Sequence, residues 1–138
     1  LRWANILLYM AEGCNELGKT GEALSYLKQV RDRARNSGDD PSVLPEVTTT
    51  NKNELREAIL HERRVELALE YDRYFDLART GRLTEVMRAY YQKYGDDATR
   101  HEKGKNVQDF HSHLPIPKVA IEASYYKGVY TLEQNPGY

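Results

Sequence analysis

A mainly α-helical chain, built of helix pairs separated by long irregular loops, is the fold class this sequence predicts. Three observations predict it. Apolar residues recur every three or four positions through residues 3–17, 23–34 and 55–78, which is the period of an amphipathic helix. Glycines stand where those stretches stop, at Gly18, Gly38 and Gly81. No alternation of strands and helices follows anywhere along the chain.

The elements are justified in order. Trp3, Leu7, Met10, Cys14 and Leu17 form one predicted stripe, widened by Ala4, Leu8 and Ala11, with Arg2, Asn5, Glu12 and Glu16 largely opposite. Gly18 is the expected stop. Thr20 is the expected cap of the next helix, whose apolar positions are Ala23, Leu24, Leu27, Val30 and Ala34. Residues 1–36 therefore read as two antiparallel helices joined by a tight turn at 18–21. Residues 39–52 read as a loop long enough to be functional or mobile. Asn51 and Glu54 have capping spacing and open the longest predicted helix, which runs to Arg79 and is apolar on more than one side from Val65 onward. A shorter helix follows over residues 83–94, with Val86, Met87, Tyr90 and Tyr91 inward. The predicted organisation is thus a helix pair at 1–36, a long plus a short helix at 53–94, and a loop and tail at 95–138. Within the last part, residues 95–113 are polar and read as surface loop. The alternate prolines of Leu114-Pro115-Ile116-Pro117 force an extended segment. Pro117 starts a short helical turn through Ile121, and Asn135-Pro136-Gly137 makes a final turn.

Composition narrows the function classes. The 138 residues suffice for one compact domain with a sizeable core. Lysine and arginine number 20 against 21 acidic residues, so nothing points to nucleic acid or an anionic membrane surface. One cysteine, Cys14, excludes an intrachain disulfide. No stretch is apolar enough to span a bilayer, and no signal peptide is visible. The first residue is Leu1 rather than methionine, which fits a processed product or a fragment. Eleven tyrosines against two phenylalanines and one tryptophan favour half-wet surfaces such as interfaces and sugar platforms.

Several motifs invite chemistry. Residues 13–20, GCNELGKT, match the phosphate-loop pattern G-x-x-x-x-G-K-[ST], with Lys19 as the phosphate ligand. A phosphate loop needs a strand before it and a nest of free backbone N–H groups. Here an amphipathic helix runs through Gly13–Leu17 instead, and no later strand ends in a magnesium-binding Asp. His61-Glu62-Arg63-Arg64-Val65 begins like H-E-x-x-H but has Val65 where the second imidazole belongs, which excludes zinc catalysis there. Glu66 and Glu70 could be a paired acid and base. They share a predicted stripe with Arg63 and Arg73, so mutual neutralisation on a buried helix is the preferred reading. His101, His111 and His113 read as solvated loop histidines rather than metal ligands. Cys14 reads as a buried, inert thiol. Arg31, Arg33 and Arg35 point in different directions around their helix and read as solvated. No nucleophile–base arrangement is legible. The expectation is a non-catalytic chain with no catalytic, metal or cofactor-binding residue and no cofactor.

Three segments, in this order, resemble the C-terminal region of the SusD/RagB family of outer-membrane nutrient-binding lipoproteins. The first is residues 2–12, RWANILLYMAE, followed by Gly18, Glu22-Ala23-Leu24, Leu27 and Val30-Arg31. The second and most specific is Leu55-Arg56-Glu57-Ala58-Ile59, then His61 to Ala68, Arg73-Tyr74-Phe75-Asp76-Leu77 and Arg79-Thr80-Gly81. The third is Leu114-Pro115-Ile116-Pro117 with Ile121, closing on Gln134-Asn135-Pro136-Gly137-Tyr138. Departures are Asn5, where the family often has Asp, Gly13, where Ala is common, and Tyr71-Asp72, where a Gly-His-like pair is frequent; all three read as packing details. The resemblance implies tetratricopeptide-like helix pairs with long irregular loops, with Ala11, Gly18 and Ala23 at the small positions. It also implies a lipid-anchored, surface-exposed outer-membrane protein that partners a SusC-like TonB-dependent transporter and captures oligosaccharides without catalysis. The ligand face of such proteins lies largely outside these residues, so no binding residue is carried over. Tyrosines of residues 90–94 and 125–130 are the places to look for sugar contacts, although packing against the scaffold is the simpler expectation for them. A freestanding tetratricopeptide-like adaptor for a protein ligand, and more remotely a phosphate-loop NTPase, are the rival expectations.

Overall fold

The computed structural model describes residues 2–38, 40, 42, 44–94 and 98–138, without the side chains of residues 98–101. Among the described residues the chain is mainly helical, with seven α-helices and one two-stranded hairpin. It divides into two compact units, residues 1–73 and 74–138.

The first unit holds α1 (Trp3–Glu16), α2 (Thr20–Asn36) and α3 (Lys52–Glu66). Leu7, Leu8, Ala11 and Cys14 of α1 meet Ala23, Leu27 and Val30 of α2 and Leu55 and Ile59 of α3 in one core. Ala11 and Ala23 are fully buried, and their small side chains let α1 and α2 approach closely. Each leucine so enclosed stabilises the fold by roughly 1.5–3 kcal/mol relative to exposure. The predicted inner stripe of α1 needs correction. Trp3, Met10 and Leu17 lie on the outside, and Asn5 and Asn15 are buried in their place. A helix with two apolar sides looks, in sequence, like one broad stripe.

α1 stops as expected at Gly18, which has φ +76°. The Lys19 N–H donates to the Cys14 carbonyl at 2.8 Å and the Gly18 N–H to Asn15 at 3.1 Å, the paired bonds of a Schellman turn. Thr20 is not the cap of α2. It is the first helical residue, after Lys19, and no side chain caps that end. Asn51 does cap α3, accepting from the N–H groups of Asn53 (2.9 Å) and Glu54 (3.2 Å). Glu54 does not reach back to Asn51; the Thr49 hydroxyl stands between them, donating to Glu54 at 2.5 Å and accepting from the Asn51 N–H at 3.2 Å.

The long helix expected over residues 51–79 is two helices. α3 ends at Glu66, and α4 (Asp72–Arg79) begins after a break. Leu69 and Tyr71 adopt φ +67° and +66°, where a side chain is unfavourable. A partner remote in sequence stabilises the break: the Arg2 guanidinium donates to the Glu66 carbonyl at 2.7 Å, filling an acceptor that a continuous helix would use itself. Tyr71 stands where the family resemblance puts glycine, so that departure concerns backbone conformation rather than packing. The loop before α3 is tied down over residues 44–46. Arg35 donates to the Leu44 carbonyl, Arg31 donates to Pro45 at 2.7 Å, and Lys28 pairs with Glu46 at 3.3 Å. Residues 39, 41 and 43 of that predicted loop lie outside the described residues.

The second unit comprises most of α4, then α5 (Leu83–Tyr94), α6 (Ala98–Lys105), a 3-10 turn (Asp109–Ser112), α7 (Lys118–Ala123), and strands β1 (Tyr125–Tyr126) and β2 (Val129–Tyr130). Residues 95–113, expected to be loop, contain α6 and the 3-10 turn; residues 95–97 lie outside the described residues. α6 lacks an apolar period because it touches α5 through a glycine. A Cβ on Gly104 would stand 2.6 Å from the Tyr91 Cβ, so only glycine allows the approach. Arg88 of α5 then donates twice to the Val107 carbonyl, at 3.0 and 2.7 Å. Downstream, side-chain amides do the work of a sheet. Gln134 accepts from the Ile116 N–H (2.8 Å) and donates to its carbonyl (2.9 Å), and Asn135 donates to Leu114 (2.7 Å).

Candidate binding surfaces

The phosphate-loop residues form no nest. Residues 13–16 belong to α1, the N–H groups of residues 17–19 bond within the helix end, and Lys19 pairs with Glu22 at 3.4 Å. Cys14 is buried with its thiol directed at a Glu22 carboxylate oxygen 3.8 Å away. His61 is exposed, whereas Glu62 beside it is buried and bound to Arg31 at 2.5 Å, so the two face different environments.

Glu62 and Glu66 of α3, and Glu70 beyond it, are neutralised, but not by the predicted ladder. Glu66 receives Arg2 (2.9 Å) and Arg33 (2.7 Å), from the start of α1 and from α2. Glu70 lies past the end of α3, off any helical stripe, and is held by two bonds from Arg2, at 3.0 and 2.6 Å. Arg63 turns inward, donating to Asn5 Oδ1 at 2.9 Å with its guanidinium 4.2 Å from the Tyr9 ring centre. Arg31 and Arg35 are likewise not solvated. Arg31 is buried against Glu62, and Arg35 binds Asp32 and the Leu44 carbonyl. Arg2, Arg31, Arg33, Glu62, Glu66 and Glu70 border an open depression of about 520 Å³. The hydrogen bonds from Arg2 hold the Glu70 carboxyl below its ordinary range and raise the Arg2 guanidinium in turn. Arg2 is the hub that sequence reasoning missed. Its one signal was position, immediately before a helix and free of its stripe.

Of the loop histidines, His111 has a structural role and His113 is exposed, as expected. His111 Nδ1 accepts the Gln108 N–H at 2.8 Å, closing the 3-10 turn, and its ring lies 4.2 Å from Phe110. The His113 carbonyl accepts the Tyr138 hydroxyl at 2.8 Å. The side chain of His101 lies outside the described residues. Among the described residues no cluster of three or more His, Cys, Asp or Glu side chains could hold a metal, and no helix is long and apolar enough to cross a membrane.

Tyr91 packs against Gly104 as the simpler expectation has it, but for the other tyrosines of these two segments that expectation gives way. Tyr90, Tyr94, Tyr125, Tyr126 and Tyr130 are exposed rather than packed on the scaffold. Tyr90 and Tyr94, one turn apart on α5, have ring centres 5.1 Å apart. In the hairpin, Tyr125 pairs with Tyr130 and Tyr126 with Val129 around a turn at Lys127-Gly128. Side chains alternate across a strand pair, so Tyr125 and Tyr130 share one face, with ring centres 5.0 Å apart. Such a pair offers two aromatic surfaces beside polar hydroxyls, suited to an apolar C–H face that also carries hydrogen-bonding groups.

The SusD family model matches residues 1–138, the whole chain. The chain belongs to the SusD family. Three curated relatives, all from Formosa agariphila, are similar to it. SusD-like protein P38 is 42% identical over 90 residues, covering 62% of this chain and 17% of that protein. SusD-like protein P25 is 34% identical over 123 residues, covering 89% and 21%. SusD-like protein P2 is 29% identical over 140 aligned positions, covering 100% and 25%. The chain therefore spans no more than a quarter of the length of these SusD-family relatives. No solved structure matches it.

Proposed function

We propose that this chain is the C-terminal helical portion of a non-catalytic nutrient-capture protein of the outer membrane. The whole protein is lipid-anchored through an N-terminal part outside these residues. It binds oligosaccharide at the cell surface and passes it to a SusC-like TonB-dependent transporter. The observation that carries this reading is the family match across the whole chain. Two features of the geometry support it. Glu62, Glu66 and Glu70 each face a guanidinium, an arrangement suited to bracing helices and not to delivering a proton. The exposed tyrosines, Tyr125 with Tyr130 and Tyr90 with Tyr94, are of the kind sugars stack on.

The test uses the full-length protein. Affinity purification from solubilised outer membranes is expected to bring down a large barrel transporter, and its consistent absence overturns the reading. Oligosaccharide binding by the Tyr125→Ala/Tyr130→Ala double variant is expected to weaken by about tenfold if the hairpin contributes stacking. Unchanged binding removes the hairpin from the ligand face.

A further inference from the structure

The second unit holds a depression whose charges do not cancel. It measures about 330 Å³ and lies between α5 and the end of α6, bordered by Arg88, Tyr91, Gln92, Gly104 and Lys105. That volume falls within the range of small-molecule sites. In the depression of the first unit, Arg2, Arg31 and Arg33 are matched by Glu62, Glu66 and Glu70. Here two cations stand on the border with no acid among the described residues that line it. The chain as a whole carries 20 basic and 21 acidic residues, so the imbalance is local. A cleft of one sign concentrates ligands of the other.

The groups on the border are held in place. Arg88 Nε and Nη2 both donate to the Val107 carbonyl, at 3.0 and 2.7 Å, which leaves Nη1 without a bond to any described residue. Gln108 ties the two walls together. Its Oε1 accepts from Arg88 Nη2 at 3.3 Å, and its Nε2 donates to the Lys105 carbonyl at 3.2 Å. A Cβ on Gly104 would collide with Tyr91, so the α6 backbone lies directly against that side chain. Lys105 pairs with Glu102 at 2.6 Å, but both are exposed, and such a pair contributes little and exchanges readily for a ligand anion. Gln92 is exposed and bonds to no described residue.

This assembly offers a guanidinium edge, an ammonium and an amide beside a half-buried aromatic ring. An oxyanion takes charge-assisted hydrogen bonds from the first two. The C–H face of a sugar packs on the ring. A neutral sugar would strip water from two cations and give them no partner, so the same geometry selects against it.

We propose that the depression is a subsite for a sugar bearing an anionic group, a uronate carboxylate or a sulfate ester, with Arg88, Gln92 and Lys105 holding the anion and Tyr91 supporting the ring. The proposal deepens the capture function and rests on it, by naming a class of glycan.

Affinity electrophoresis of the full-length protein tests it, in gels containing a uronate polysaccharide, a sulfated polysaccharide or a neutral glucan. Retardation by at least one anionic gel is expected to exceed that by the neutral gel. Retardation by the uronate gel alone assigns the carboxylate, by the sulfated gel alone the sulfate, and by both a shared recognition of charge; each result supports the subsite. Lys105→Met removes an exposed cation from the border and is expected to weaken anionic retention about tenfold, the scale of one charge-assisted bond. Lys118→Met removes a cation that is 87% exposed and stands outside the depression, and is expected to change nothing. No loss for Lys105→Met, or an equal loss for both variants, overturns the subsite in favour of unspecific attraction. Retention by the neutral gel alone overturns the subsite and leaves capture standing. No retention in any gel overturns both.

Discussion

The two units of this chain are held together by different means. Residues 1–73 enclose nearly all the fully buried apolar side chains, and their helices are cross-braced by guanidinium–carboxylate pairs reaching between α1, α2 and α3. Among the described residues, 74–138 bury Leu77 and Leu83, leave Tyr74, Tyr91 and Phe110 half-buried, and expose their other aromatic rings. Their order comes from side chains bonding to backbone: Gln134 on Ile116, Asn135 on Leu114, Arg88 on Val107, Tyr138 on His113. The first pattern yields a rigid scaffold. The second holds irregular segments in one shape while leaving ring faces free, which is what a binding surface requires.

The sharpest way to break that contrast is to remove one partner of the buried pair. Glu62→Ala leaves Arg31 enclosed without its carboxylate and is expected to cost about 3–5 kcal/mol. The double replacement Arg31→Met/Glu62→Leu is expected to recover most of that loss, since matched apolar groups need no desolvated charge. Urea unfolding of the intact protein measures both. A loss below about 1 kcal/mol for Glu62→Ala would mean water reaches the pair, since exposed pairs contribute no more than that.

Truncating one core residue and one surface ring compares the units directly. Leu8→Ala, at a fully buried position, is expected to cost about 2–5 kcal/mol. Tyr125→Ala, in the exposed hairpin, is expected to change stability by no more than about 0.5 kcal/mol. Equal losses would show that the hairpin packs against something in the intact protein, and its candidacy as a sugar platform would end.

How much of this was legible follows the same division. The core seam Leu7, Leu8, Ala11, Ala23, Leu27, Leu55 and Ile59 was readable, because a helix buried on one side writes its burial into a 3.6-residue period. The cap at Asn51 and the stop at Gly18 were readable, because both use side-chain chemistry local to the bond they serve. The break after Glu66 was not. Its acceptor is filled by Arg2, 64 residues away, and its left-handed positions are occupied by Leu and Tyr instead of glycine. α6 was missed because its contact depends on the absence of a side chain at Gly104, which has no apolar signal. The tyrosines of residues 90–94 and 125–130 were legible as residues to inspect. Their exposure was not legible, since periodicity distinguishes the faces of a helix but cannot say which face is covered.

The break itself supplies a prediction of opposite sign. Tyr71→Gly relieves a left-handed backbone at a position where the side chain is almost wholly exposed and buries nothing. A stability gain of about 1 kcal/mol is expected, against the general trend that substitutions destabilise. A loss would mean that the Tyr71 ring is packed in the intact protein, and that the strain is offset by a contact outside these residues.

The smallest expected effect concerns the ionic bracing at the other end of α1. Arg56, and secondarily Lys52, hold the Glu16 carboxyl down from an ordinary 4.5 to about 2. A carboxyl whose folded-state value is depressed contributes stability that is fully present above 4.5 and lost as pH falls toward 2. Glu16 is about 41% exposed, so solvent screening limits that contribution to below about 1 kcal/mol. Glu16→Gln is therefore expected to be slightly less stable than the parent at pH 6, with the gap closing as pH falls through this window. Added salt should shrink the gap at pH 6, because both partners are reached by solvent. A gap that stays constant down to pH 2 would show that the bracing of the first unit comes from shape and hydrogen bonding at this end, leaving charge decisive only where it is buried, between Arg31 and Glu62.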